Sequence, residues 1–284
     1  DSMHRLVERL SGSPDVGPKL AEALDERTLA LPRFHYFVHE LIASFVLGDY
    51  EAAVLAADHA EALTEAVLGF LEVPQLHFYA ALARARVAGA NGDDLGPTLE
   101  AIRRHHAFLQ GLAARSPANF GAREALVAAE LDRLTGNDLA AEQRYELAIG
   151  AARTTTQVQV EAFANEQAAC FHRARGMNTV ADAYVAQAHS CYEAWGATPK
   201  AARLAQEFPS VMRRPRLASE DLGPLIKAQH AISSELRLPE LHQRLLEVAL
   251  EHTRARRGCL LQVGPASTIT VVATTGERGE EFGE

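Results

Sequence analysis

The sequence predicts a mostly α protein: a right-handed, tetratricopeptide-like solenoid of helical hairpins, then a linker helix and the beginning of an α+β domain. Hydrophobic residues make up 48% of the 284 residues and aromatic residues only 6%, a balance typical of helices that pack through small side chains. A glycine-centred turn recurs at Gly48, Gly92, Gly136 and Gly176, with spacings of 44, 44 and 40 residues. Such a period indicates stacked helical hairpins.

Each of these glycines separates two stretches with apolar residues at helical spacing. The predicted helix pairs cover residues 34–47 with 51–68, 76–88 with 97–114, the two halves of 122–149, and 158–175 with 179–195. Small residues, mostly alanine, recur at fixed distances from each glycine, and Arg104 interrupts that pattern in the second pair. We expect Gly136 to end one helix in the left-handed conformation, and Asn137 or Asp138 to cap the next.

The rest of the chain is predicted to form three further segments. Residues 1–33 contain two short helices and precede the repeats of residues 34–208. Residues 209–235 form a proline-rich linker and a linker helix. Residues 236–284 begin an α+β domain, with another amphipathic helix and then strands at 258–263 and 268–274, where β-branched residues are frequent. One side of the linker helix carries an apolar row: Leu222, Leu225, Ile232 and Leu236. This row is short for a coiled-coil seam between two copies, and it equally fits packing within one chain.

Composition narrows the function classes. The net charge of −9 argues against a general binder of nucleic acid or of anionic membranes, because both need clustered Lys and Arg. The three cysteines include no Cys-x-x-Cys pair, so neither a disulfide framework nor a zinc module is indicated, and a reducing cytoplasm is expected. No apolar run is long enough for a membrane helix, and no signal peptide is evident. Both ends of the chain suggest a segment of a longer protein.

Several stretches carry a family resemblance. They are residues 77–82 (His-Phe-Tyr-x-Ala-Leu), 119–130 (Asn-Phe-x-x-Arg-x-Ala-Leu-Val-Ala-Ala-Glu), 161–169 (Glu-Ala-x-Ala-Asn-Glu-x-Ala-Ala), 174–176 and 188–197. Together they resemble the tetratricopeptide-like helical region of large bacterial signalling proteins. Those proteins carry a serine/threonine kinase domain, a STAND-type (AAA-like) ATPase domain, this helical region, a GAF domain and often a histidine kinase. Residues 225–235, 245–249 and 255–261 resemble the start of the GAF domain.

The resemblance implies a non-catalytic sensor or scaffold segment of a signal-transduction kinase. Its partners would be the flanking kinase and ATPase domains or another protein, with a homodimer possible through the linker helix. ATP and Mg²⁺ would belong to the domains outside this chain, and no cofactor is expected within it. The sequence contains no Gly-x-x-x-x-Gly-Lys-Ser/Thr phosphate loop and no His-Arg-Asp catalytic loop. The alternative is the helical sensor region of a STAND ATPase-type transcription regulator.

The first helix of each hairpin is expected to line the inner face of the solenoid, which is the usual binding surface of such folds. The polar and aromatic candidates on that face are His35, Tyr79, Arg86, Arg123, Glu130, Arg133, Phe163, Glu166 and Arg173. They would form a groove for a peptide or partner domain, or they would pack against one another.

We interpret the neighbouring histidines and the three cysteines as structural residues. His35 and His39 have a metal-compatible i, i+4 spacing but no third ligand beside them in sequence. His105 and His106 are adjacent and point apart on a helix. We interpret the three cysteines as packing residues: Cys170, Cys191 and Cys259. We interpret Trp195 as a plug at the end of a helix whose C-cap is Gly196.

Overall fold

The computed structural model describes residues 30–67, 70–88, 95–213, 258–263 and 269–275, together with Leu246 and Leu250. The chain divides into two compact units, Asp1–Arg213 and Arg214–Glu284. The predicted helices before residue 30, the Gly92 turn and the linker helix lie outside the described residues. The predicted seam residues Leu222, Leu225, Ile232 and Leu236 lie outside them as well.

The described part of the first unit is helical, which confirms the mostly α prediction. It contains ten α-helices and one short 3₁₀ helix, Thr64–Val67. The α-helices are α1 Ala30–Leu47, α2 Tyr50–Glu61, α3 Glu72–Val87, α4 Leu95–Arg115, α5 Pro117–Leu134, α6 Asp138–Thr154, α7 Val158–Ala174, α8 Asn178–Trp195, α9 Thr198–Glu207 and α10 Pro209–Arg213. None of them combines the length and apolar character needed to cross a bilayer.

Consecutive helices pack in pairs, and the pairs pack on one another. Helix α1 contacts α2, α3 contacts α4, α5 contacts α6, and α7 contacts α8. The first helices of successive pairs also touch, α1 with α3, α3 with α5, and α5 with α7. Helix α9 contacts both α8 and α1, so the end of the helical run meets its first described helix.

The turn glycines behave as predicted wherever they are described. Gly48, Gly136 and Gly176 have φ values of +81°, +78° and +76°, the left-handed region that favours glycine. Asn137 is the N-cap residue of α6, as predicted, but its side chain makes no capping hydrogen bond. Its backbone N–H instead donates to the carbonyl of Asp132 at 2.8 Å, which closes the preceding helix.

Small residues let the helices of a pair approach closely. The recurring alanines are fully or almost fully buried: Ala53, Ala60, Ala85, Ala129, Ala141, Ala148, Ala169, Ala181 and Ala188. Arg104 occupies the equivalent position of the second pair and is exposed. The core therefore depends on the absence of bulk at these positions, and large side chains fill the spaces between them.

Several element boundaries differ from the sequence prediction, two of them in ways that change the element itself. The second predicted helix ends at Glu61, and the 3₁₀ turn Thr64–Val67 follows it. Pro209 was expected in a linker, but it begins the five-residue helix α10. Proline suits a first helical position, because its missing N–H would have no partner there.

The described part of the second unit contains two strands, β1 Gly258–Val263 and β2 Ile269–Thr275. They form an antiparallel pair from Gly258↔Thr275 to Val263↔Ile269, with a register irregularity between Leu260 and Leu261. A Cβ at Gly258 would lie 3.1 Å from side-chain carbons of Leu246 and Leu250, so the start of β1 packs on these leucines.

Candidate functional site

The nine residues predicted for the inner face separate into four places. Tyr79, Arg123 and Phe163 belong to an aromatic cluster, and Glu130 and Arg133 belong to a buried polar network. Arg86, Glu166 and Arg173 line a cavity. His35 lies apart from all of them.

The aromatic cluster is centred on Phe163. The Phe163 ring lies edge-on to Phe45, Tyr79 and Trp195, with centroid distances of 5.3, 5.8 and 5.8 Å. The Arg123 guanidinium lies 5.9 Å from the centroid of the Phe78 ring, itself a neighbour of Phe163. These rings come from α1, α3, α7 and α8, so the inner surfaces of three helix pairs meet here. Trp195 joins the cluster at the end of α8, and Gly196 ends that helix with φ +86°.

The buried polar network ties α3 to α5 and α6. Glu130 is 1% exposed and accepts hydrogen bonds from Arg133 at 2.6 Å and from the Tyr145 hydroxyl at 2.6 Å. Arg133 also donates to the carbonyl of Ala85 at 2.8 Å, near the carboxyl end of α3. Burial, followed by the charge of Glu130, raises the pKa of Tyr145 well above its usual value, so its hydroxyl stays protonated as a donor.

The cavity lies between α3, α7, α8 and α9 and has a volume of about 200 Å³. Arg86 reaches it from α3, while Glu166, Cys170 and Arg173 reach it from α7. Sequence reasoning missed the residues of α9 and α2 that complete its wall: Tyr50, Lys200, Arg203 and Glu207. Lys200, Arg203 and Glu207 share one face of α9 at i, i+3 and i+7, a spacing visible in the sequence.

Glu166 forms the most buried charged contact of the cavity. Lys200 Nζ lies 2.7 Å from Glu166 Oε1, and the Tyr192 hydroxyl donates to Oε2 at 2.5 Å. Burial alone would raise the pKa of Glu166, but the charge and hydrogen bond of Lys200, with the bond from Tyr192, lower it below its usual range. This carboxylate is therefore ionised and paired.

Arg86 has a different environment from the other cations. Its Nη1 donates to the side-chain carbonyl of Gln167 at 3.2 Å and lies 3.1 Å from the Cys170 sulfur. Its guanidinium also lies 4.7 Å from the centroid of the Tyr50 ring. Within the described residues, no carboxylate lies within 4.0 Å of it, so its polar contacts are with an amide carbonyl and a sulfur.

Two further arginines lie at the α9 side of the cavity. Arg173 pairs with Asp182 at 3.0 Å, and its guanidinium lies 4.4 Å from the centroid of the Phe208 ring. Arg203 donates to the carbonyl of Leu47 at the end of α1. The contact of Arg203 fixes α9 against the first described helix and closes the cavity on that side.

Each cysteine and histidine named in the sequence analysis has its own environment in the structure. Cys170 and Cys259 are exposed, so the interpretation as packing residues is wrong for both, while Cys191 is half-buried. Cys170 is exposed because its side of α7 faces the cavity rather than a neighbouring helix. His105 and His106 point to different partners, as expected: His105 lies 3.0 Å from His77, and His106 lies 2.7 Å from Glu124.

His35 and His39 lie on one side of α1, with ring centroids 6.4 Å apart. His35 lies 3.7 Å from Glu72 and next to the Phe70 ring, away from the cavity. Throughout the described part of the chain, no three His, Cys, Asp or Glu side chains are placed to hold a metal ion.

Comparison with known proteins does not extend these observations. No protein-family model matches the sequence, and a search of curated proteins finds no match.

Proposed function

We propose that this chain is a non-catalytic sensor or scaffold segment of a multidomain bacterial signal-transduction kinase, acting in the cytoplasm. In this proposal, the first unit is a tetratricopeptide-like hairpin solenoid and the second begins a GAF-like domain. The segment contacts the flanking kinase and ATPase domains, or another protein, and relays the state of one domain to the next.

The observation that carries the proposal is the packing order of the helices. Each first helix touches the next first helix, α1 with α3, α3 with α5 and α5 with α7. Nearest-neighbour packing of this kind is typical of repeat proteins, which present extended surfaces to partners. The resemblance of residues 77–82 and 119–130 to the signalling family supports the same function.

The surfaces open to a protein partner are more restricted than the sequence suggested. The inner face around Phe163 is filled by the protein's own rings, so a peptide would not run along it. Several exposed apolar side chains lie on second helices instead, with Leu55 on α2 59% exposed and Leu147 on α6 61% exposed, although Leu71 before α3 is also exposed. We therefore place the partner surface on the second helices.

Crosslinking tests the proposal. In the longer protein, carboxylate-to-amine crosslinks are expected between acidic side chains of the second helices α2 and α6 and lysines of the flanking domains. Changing Leu139 and Leu147 to Gln should lower their yield while leaving the helical circular dichroism unchanged, because both side chains are exposed. Absence of any crosslink to the helical unit would contradict the proposal. An open reading frame that encodes a DNA-binding domain in place of the kinases would favour the transcription-regulator alternative.

A further inference from the structure

The cavity between α3, α7, α8 and α9 contains more positive than negative charge. Its lining includes four cationic side chains and two carboxylates: Arg86, Arg173, Lys200, Arg203, Glu166 and Glu207. The protein as a whole has a net charge of −9, so this concentration of cations is local and opposite in sign to the rest of the chain. A recess walled by one sign of charge concentrates ligands of the other sign.

The contacts within the wall leave guanidinium charge directed at the cavity. Lys200 is neutralised by Glu166 at 2.7 Å. Arg86 Nη1 contacts the side-chain carbonyl of Gln167 and the Cys170 sulfur, and the guanidinium lines the cavity with N–H groups that those two contacts do not use. A half-buried guanidinium that is not paired with a carboxylate gains from an ionised acceptor.

The cavity also has an apolar side. Val185, Leu204 and Phe208 belong to its lining, with Phe208 beside the Arg173 guanidinium. Its volume of about 200 Å³ exceeds the roughly 150 Å³ that is sufficient for a benzene ring. The site therefore has room for a charged group together with a short carbon skeleton, and too little for a folded segment of another protein.

We propose that this cavity binds a small organic anion. Its carboxylate or phosphate oxygens accept hydrogen bonds from Arg86 and Arg173, and its carbon skeleton lies against Leu204 and Phe208. Guanidinium groups suit this role, because their fork of donors matches the oxygen pairs of both anions. The inference stands on the cavity alone and does not require the scaffold function.

Ligand binding would join three parts of the first unit. Arg86 belongs to α3 and Arg173 to α7, and Arg203 of α9 is held by the end of α1. An anion that bridges Arg86 and Arg173 beside Arg203 stabilises the packing of these helices. Binding therefore raises the melting temperature, because the ligand binds only the folded state.

The test uses inorganic phosphate and succinate as probes, each titrated into the complete chain by calorimetry at constant ionic strength, with chloride as the blank. We expect one of the probes to bind with a Kd of about 1 mM or tighter. Phosphate binding alone assigns a phosphorylated ligand, and succinate binding alone assigns a carboxylate. Arg86→Gln is expected to weaken the binding about tenfold, and Arg173→Gln by a smaller factor.

Two controls locate the site. Arg153→Gln removes the same charge from an arginine that is 61% exposed and outside the cavity, and it should leave the Kd unchanged. The bound probe should also slow alkylation of Cys170 by neutral iodoacetamide, measured by mass spectrometry, without slowing that of Cys259. Arg173 is 34% exposed, so Arg173→Gln remains informative even if Arg86→Gln does not fold.

Three results would overturn the proposal. The first is no binding of either probe up to about 10 mM, well above the expected affinity. The second is equal weakening by Arg153→Gln and Arg173→Gln, and the third is equal protection of Cys170 and Cys259. None of them bears on the crosslinking test of the scaffold function, so the two proposals fail separately.

Discussion

The rings of Phe45 and Phe163 meet edge-on, with centroids 5.3 Å apart and an interplanar angle of 82°. Phe45 lies in the first helix pair and Phe163 in the fourth, so this contact joins helices far apart in sequence. The helical unit is thereby closed by side chains of its own inner face.

Truncating Phe163 is expected to be strongly destabilising. Phe163 is 1% exposed, so Phe163→Ala should lower the free energy of unfolding by about 3–5 kcal/mol, and Phe163→Leu by less. Urea denaturation followed by circular dichroism measures both. Leu147→Ala is the control, because Leu147 is 61% exposed and its truncation should cost less than about 0.5 kcal/mol. Similar losses for Phe163→Ala and Leu147→Ala would show that the cluster does not hold the unit together.

Removing the charge of Glu130 is expected to leave Arg133 and Tyr145 without their ionised acceptor. Glu130→Gln should lower the free energy of unfolding by about 3 kcal/mol, since one partner of a buried pair is lost. A double-mutant cycle with Arg133→Met should give a coupling energy of about 1–3 kcal/mol.

The more exposed pair Arg153–Glu161 is the matched control for this cycle. Arg153 is 61% exposed, so its coupling with Glu161 should lie below about 1 kcal/mol. Equal coupling energies in the two cycles would contradict a special contribution from the Glu130 network.

His77 is expected to make stability depend on pH. Burial, and then the charge of His105, lower the pKa of His77 from 6.5 to about 4, while Glu61 opposes the shift. Between these values the unfolded state takes up a proton that the folded state does not, so stability is lost as the pH falls below about 6.5. The groups facing this site are His105, Glu61 and Arg84, with Phe108 stacked on the His77 ring.

The expected effect of His77 on the free energy of unfolding is modest. Lowering the pH from about 7 to about 5 should reduce the free energy of unfolding by about 1–2 kcal/mol through His77, after allowing for its partial exposure. His77→Gln should remove that part of the pH dependence, measured by urea denaturation at both pH values. Identical pH dependence in the wild-type protein and the variant would refute the role of His77.

Two glycine substitutions should have opposite effects. Gly136 has φ +78°, and an added methyl group would meet no atom within 4 Å, so Gly136→Ala strains only the backbone. It should destabilise the protein by about 1 kcal/mol. Gly111 lies inside α4 with equally open surroundings, and Gly111→Ala should stabilise the protein by about 0.5–1 kcal/mol. Melting temperatures measure both, and shifts of the same sign would show that the left-handed turn does not set the difference.

Local sequence patterns predicted the helices well because each helix depends on residues that are close to one another in sequence. The turn glycines have a conformation that glycine adopts readily, and the alanines around them permit close helix packing. The bounds of α7 and α8 fall within about one residue of the prediction. Asn137 takes the predicted N-cap position, but the backbone N–H groups and carbonyls of the turn satisfy one another without its side chain.

The sequence by itself determined the helical class and the glycine turns between consecutive helices. Only the tertiary structure decided what the side chains of those helices contact. Phe163 meets Phe45, Glu130 is buried beside Tyr145, and Arg86 turns towards Cys170 in a cavity that α9 completes. The physical reason is that sequence patterns act over a short range along the chain. Helical periodicity fixes only which side of its helix a residue occupies. Which distant helix lies opposite depends on the curvature of the whole unit, which no local pattern records.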